Sequence, residues 1–161
     1  MPVGRLSKAD QQYVKSELAR QKARHEDQTP EPGDTATQAG QWPGWRGPNR
    51  DGISPDTGLL KQWPPEGPKL LWKVDNIGKG FSSVAVVNET VYITGHLGDK
   101  LTLFAFDLQG EPRWQVNHDS AYNKSHPGSR STPVIDRGNL YIISGNGLVG
   151  CYDATRGGKP K

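Results

Sequence analysis

The chain has 161 residues, a formal net charge of +3 from 20 basic and 17 acidic side chains, and only 32% apolar residues. Gly 20 and Pro 13 make up about a fifth of it, without the every-third-place glycine of collagen. The longest aliphatic run, Val84 to Val87, falls far short of the ~20 residues of a membrane-spanning helix, and the interspersed charges exclude the clustered basic face of a nucleic-acid binder.

The apolar residues are unevenly spread, so the expected architecture is a small β-rich region behind a poorly packing N-terminal third. Residues 6 to 24 read as a helix, with Ser7 as N-cap and Asp10 three places later. Its stripe of Leu6, Ala9, Tyr13, Val14 and Leu18 is narrow, enough to dock but not to build a core. The first residues lack an apolar h-region, so no signal peptide is read and the chain as written would stay in the cytoplasm. Residues 25 to 41 hold no apolar side chain larger than alanine and read as a flexible linker.

Residues 42 to 69 carry Trp42, Trp45 and Trp63 among six prolines. That proline density excludes a helix interior or a central strand. Three indoles bring a large apolar area, so the segment is expected to strap over a scaffold with these tryptophans as buried anchors.

From residue 70 the apolar period becomes two, which predicts strands at Leu70–Val74, Ser83–Val87, Thr90–Thr94, Thr102–Asp107 and Arg113–Val116. A polar loop is expected over 117–130. Three further strands follow at Pro133–Ile135, Asn139–Ser144 and Leu148–Tyr152, joined by glycine-bearing turns. Short strands at this spacing indicate an all-β, up-and-down architecture.

The chain repeats itself. Ser82 to Gly95 matches Ser131 to Gly145, and Phe104 to Gly110 matches Gly150 to Gly157. Each unit runs strand, tight turn, tyrosine-bearing strand, glycine turn, then a strand ending in aspartate. Trp72 and Trp114 stand one period apart, in the range of a four-stranded propeller blade. Asp107 and Asp153 are expected to accept N–H groups from the turns that follow, with Gly110 and Gly157 supplying positive φ. Trp72 and Trp114 are expected to wedge between neighbouring sheets.

These marks resemble the PQQ-like, or quinoprotein-like, β-propeller repeat, which ends each blade in Ala/Leu-x-Asp-Ala-x-Thr-Gly-Lys-x-x-Trp. Phe106 to Trp114 fits with one residue deleted, and Tyr152 to Lys161 fits up to the place where the tryptophan is due. The segment from Trp42 to Gly52, through Gly58, Leu59, Leu60 and Trp63 to Leu71-Trp72, is similar to the start of large bacterial propellers of this class. The resemblance covers residues 42 to 161 and implies an incomplete propeller of one to two blades. Residues 2 to 14 resemble the closing edge of a Sla-homology domain, whose strands are absent, so its binding properties are not carried over. Both ends look cut, and the chain is read as a fragment of a longer propeller. The resemblance places such proteins outside the cytoplasm.

Two functions follow from the resemblance. One is a non-catalytic scaffold or protein-interaction module, BamB-like, whose partners are proteins, missing blades or other copies of the chain. The other is part of a quinoprotein dehydrogenase using PQQ and calcium, which calls for a catalytic Asp, oxygen ligands for the metal and a basic residue near the quinone. The lone Cys151 excludes a vicinal disulfide within the segment, and no acidic cluster has calcium-loop spacing, so the scaffold reading is preferred. A third reading is a product with no function of its own. Cys151, in an alternating stretch, is read as a small buried hydrophobe, which leaves no Cys-based zinc site. His96, His118 and His126 lack metal-site spacing, and Asp119-Ser120 and Ser125-His126 lack a nucleophile elbow. Gly145 to Gly150 has dinucleotide-loop letters but joins strands instead of opening a helix. No catalytic or metal residue is assigned.

Overall fold

A computed structural model describes residues 40–161, together with Gln12 and Ser16, which are helical and exposed. The chain divides into two units, Met1–Ala36 and Thr37–Lys161. The remainder of the helix expected over 6–24, the linker up to residue 39 and the Sla-homology resemblance lie outside the described residues.

The described part of the second unit is all-β, with seven strands in two antiparallel sheets. The first sheet has the order β1-β2-β3-β4, from Ala85–Val87, Thr90–Leu97, Lys100–Asp107 and Pro112–Ser120. The second has the order β5-β6-β7, from Val134–Asp136, Asn139–Ile143 and Val149–Asp153. This is an incomplete propeller: one four-stranded blade beside a three-stranded one.

Register explains the repeat. Val87 pairs Thr90 across the Asn88-Glu89 turn, and Asp136 pairs Asn139 across Arg137-Gly138. All four turn residues have positive φ (49°, 57°, 47° and 75°), the two-residue hairpin geometry that follows strand twist. The same register makes Tyr92 the counterpart of Tyr141, Ala105 of Cys151 and Asp107 of Asp153.

Side-chain alternation then sorts each sheet into two faces. The forward face of the first sheet carries Ala85, Tyr92, Leu101, Leu103 and Ala105, all buried, with Trp114 and Val116 on β4. It packs on the rear face of the second sheet, formed by Ile135, Leu140, Ile142 and Tyr152, in one continuous core. The rear face of the first sheet, with Val91, Phe104 and Phe106, is packed by Trp72, Val74 and Ile77.

Three expectations are corrected here. Residues 70 to 74 form no ladder, although their exposure alternates from Leu71 to Asp75 as a strand's would. Among the described residues no sheet edge pairs with them, and their side chains dock on the first sheet. Strand β4 runs on to Ser120, because the long β3 offers Leu101 and Lys100 as partners for Asp119 and Ser120. The polar loop therefore begins at Ala121 and not at residue 117.

The third correction concerns the Trp/Pro-rich segment. Trp42 is half-buried, and its N–H and C=O both pair with Val86 at 2.7 and 2.8 Å. Pro43 O then accepts from Ile135 N at 2.8 Å, so the segment straps the outer edges of β1 and β5 together. Gln41, expected in the linker, is already tied to the fold through Asn88 N. Trp45 and Trp63, however, are 61% and 63% exposed. The Arg46 guanidinium lies over the Trp45 ring at 5.5 Å. A proline-rich path holds the chain rigid without folding it back into a layer, so nothing among the described residues covers these two indoles.

Candidate functional site

Two aspartate-buttoned turns and two tryptophans recur one period apart. Asp107 Oδ1 accepts from the Gln109 and Glu111 N–H groups, each at 2.9 Å. Asp153 Oδ1 accepts from Thr155 N and Arg156 N at 2.9 Å and from Thr155 Oγ1 at 2.8 Å. The Thr155 hydroxyl first, then the two amides and the Lys161 ammonium, hold the Asp153 carboxyl down at about 2 against an ordinary 3.8.

Because the folded value lies below the unfolded one, this stabilisation is present above about pH 4 and is lost as pH falls towards 2. Denaturant midpoints measured between pH 4 and pH 2 should fall for the wild type and fall less for Asp153→Asn. An unchanged slope would remove Asp153 from the acid response. Asp119, also held at about 2 by the Ser144 hydroxyl and the Asn146 amide, and Asp56, held below its ordinary value by the Gly40 N–H and the Ser54 hydroxyl, contribute to the slope that remains.

Each turn cradles an indole. A Cβ on Gly110 would stand 2.8 Å from ring carbons of Trp72, and one on Gly158 would stand 2.7 Å from ring carbons of Trp114. The Trp72 Nε1 donates to Leu108 O at 2.7 Å. The Trp114 ring lies 5.9 Å from that of Tyr92, whose hydroxyl donates to Ala154 O at 3.1 Å. Gly157 does have positive φ, but nothing lies within 4 Å of where its Cβ would stand, so the cradle belongs to its neighbour Gly158. The second turn is two residues longer than the first, which shifts the match between Gly110 and its counterpart.

Trp72 and Val74 thus dock on the first sheet as Trp114 and Val116 dock on the second. The next equivalent surface is bare. On the forward face of the second sheet, Val134 stands beside Tyr141 and Cys151, and Ile143 beside Val149. Ile143 is 57% and Val149 67% exposed, whereas their counterparts Thr94 and Leu103 are buried. Cys151 is half-buried on this face, not a core residue.

At the other end of the seam, a cavity of about 380 Å³ is lined by His96, Tyr122, Ser129, Ser131, Ser144 and neighbours. His96 is buried, its Nδ1 has no partner, and burial holds its pKa below the ordinary value. His118 instead bridges the sheets, Nδ1 to Tyr152 Oη at 2.8 Å and Nε2 to Leu148 O at 3.0 Å. His126 is exposed, and the Ser125 and His126 carbonyls accept from Arg130. The glycine letters 145–150 form a turn and the start of β7. Among the described residues no three metal-ligating side chains converge. The linkage made by His118 has no sequence signature, since it joins residues 30 and 34 positions apart.

A family model described as outer membrane protein assembly factor BamB matches residues 69–160, more than half of the chain. The chain belongs to this PQQ-like repeat family. No curated protein and no solved structure matches it. Among the described residues no helix is long and apolar enough to cross a membrane.

Proposed function

We propose that this PQQ-like repeat chain is a non-catalytic scaffold, a protein-interaction module whose contact surface is the forward face of the second sheet. The observation that carries this reading is the contrast between equivalent faces: the forward face of the first sheet is buried under the second, while that of the second sheet presents Val134, Tyr141, Ile143 and Val149 to solvent. A contiguous apolar face of this kind marks a site of association. In this reading residues 70–161 carry the surface and the Trp/Pro-rich segment, 42–69, straps its edge. The family's description as an assembly factor supports protein partners.

Supplying the chain with PQQ, Ca²⁺, and alcohol or sugar substrates, and following dye reduction, should give no turnover above buffer. Sustained turnover that depends on the added quinone would overturn the scaffold reading in favour of a quinoprotein dehydrogenase.

A further inference from the structure

The cavity of about 380 Å³ at the end of the seam has walls from both sheets, and β7 contributes nothing to it. Its residues come from the β2–β3 hairpin, from the run Gly128 to Ser131 that leads to β5, and from the turn after β6. Lys79 fixes the floor. Its N–H and C=O pair with His96 O and N at 3.1 and 2.8 Å, and its C=O also accepts from Ser129 N at 3.1 Å. Both floor side chains are deeply buried, His96 at 8% and Ser129 at 2% exposure.

The floor has hydrogen-bonding capacity that the fold does not use. Thr94 Oγ1 donates its single hydrogen to Ser131 O at 2.7 Å, so the 2.6 Å contact between Thr94 Oγ1 and Ser129 Oγ takes the Ser129 hydrogen. Ser129 is left presenting lone pairs alone. Ser144 is fully engaged, since its Oγ accepts from Asn146 N and Leu148 N at 3.1 Å each and its hydroxyl holds Asp119. His96 Nδ1 has no partner, and burial keeps the imidazole uncharged at neutral pH, so the ring brings one N–H and one lone pair. A buried polar atom without a partner is costly, which favours any ligand that supplies one.

The mouth has a different character. Arg130 is exposed and is the one charged side chain on the wall among the described residues. Its Nη2 donates to Ser125 O and His126 O, which leaves other N–H groups of the guanidinium free. Tyr122 and Ser131 are half-buried beside it, and Leu101 and Ile143 add apolar wall. A carboxylate on the uncharged floor would lose its hydration without meeting a cation, whereas at Arg130 it gains a charge-assisted bond where water still reaches.

We infer that this cavity binds a short hydroxy acid. The hydroxyl lies on the floor, donating to Ser129 Oγ and accepting from the His96 ring, and the carboxylate lies at Arg130 with the Tyr122 and Ser131 hydroxyls as further donors. The carbon stem between them takes the apolar wall. The site is separate from the contact surface of the interaction module, and neither reading depends on the other.

The test is a titration of the full chain, followed by the His96 and Tyr122 ring resonances in nuclear magnetic resonance spectra. The probes are the ω-hydroxy acids from hydroxypropionate to hydroxyhexanoate, each with its matching diol and its unsubstituted acid. At least one hydroxy acid should shift both rings saturably in the millimolar range, and its diol and plain acid should bind about tenfold more weakly, since each lacks one of the two ends. Arg130→Gln should erase the preference for the hydroxy acid over the diol. His96→Phe, which removes no hydrogen bond made by the side chain within the protein, should erase the preference over the plain acid, read at Tyr122. Unchanged melting curves will show these variants folded. Should His96→Phe not fold, Ser131→Ala takes its place and should weaken the hydroxy acid severalfold. The inference is overturned if no hydroxy acid shifts the two rings, if the diol or the plain acid binds as tightly, or if the variants keep the selectivity and affinity of the wild type.

Discussion

Trp114→Ala is expected to lower the unfolding free energy by about 3 kcal/mol, the low end for a large aromatic because Trp114 is half-buried. The indole is shared: it belongs to β4 of the first sheet, lies tilted at 52° against the Tyr92 ring, and fills the cradle over Gly158 in the second. Gly158→Ala attacks the same contact from the other side. Its Cβ would meet the ring at 2.7 Å, and its φ of 63° adds about 1 kcal/mol of backbone strain. The two losses should not add. With the indole gone the clash with ring carbons disappears, leaving Val116 Cγ1 at 3.2 Å, and Gly158→Ala in the Trp114→Ala background should cost little beyond the backbone part. Denaturant unfolding of the four proteins, followed by circular dichroism, reads this directly. Full additivity would show that the ring does not press on the turn.

The second large effect is Leu140→Ala, at about 3 kcal/mol, for a side chain with no exposed area in the core between the sheets. The core joins Leu140 to Ala85, Leu103 and Ala105 of the first sheet, so the loss should also shift the unfolding of Trp114 fluorescence. Ile143→Ala, one face over and three residues on, should change stability by about 0.5 kcal/mol or less. A common size for the two would mean that the faces of β6 are not distinguished by burial.

Much of the second unit was legible because its signals are local. Period-two alternation located β1 to β3 and β5 to β7 to within a few residues, and the two-residue turns between apolar runs identified the hairpins. The Trp, Asp and Gly marks one period apart pointed to the repeat, since each reflects a turn or a packing contact fixed within a few neighbouring positions. The same local reading misplaced whatever depended on distant chain. Leu70 to Val74 has a strand's alternation but no edge to pair with, and pairing is decided by residues far along the sequence. Trp45 and Trp63 were expected inside because indoles favour burial, but burial needs an opposing surface.

The amino-acid order alone determined which segments are strands, where they turn and that two units repeat, because backbone preference and side-chain period act over a few residues. Tertiary structure alone decided that Gly158 and not Gly157 receives Trp114, that Trp42 and Pro43 strap β1 to β5, and that one apolar face is buried while its counterpart lies bare. Those outcomes depend on which surfaces meet. Contact between residues dozens of positions apart is a matter of packing, which local preference does not encode.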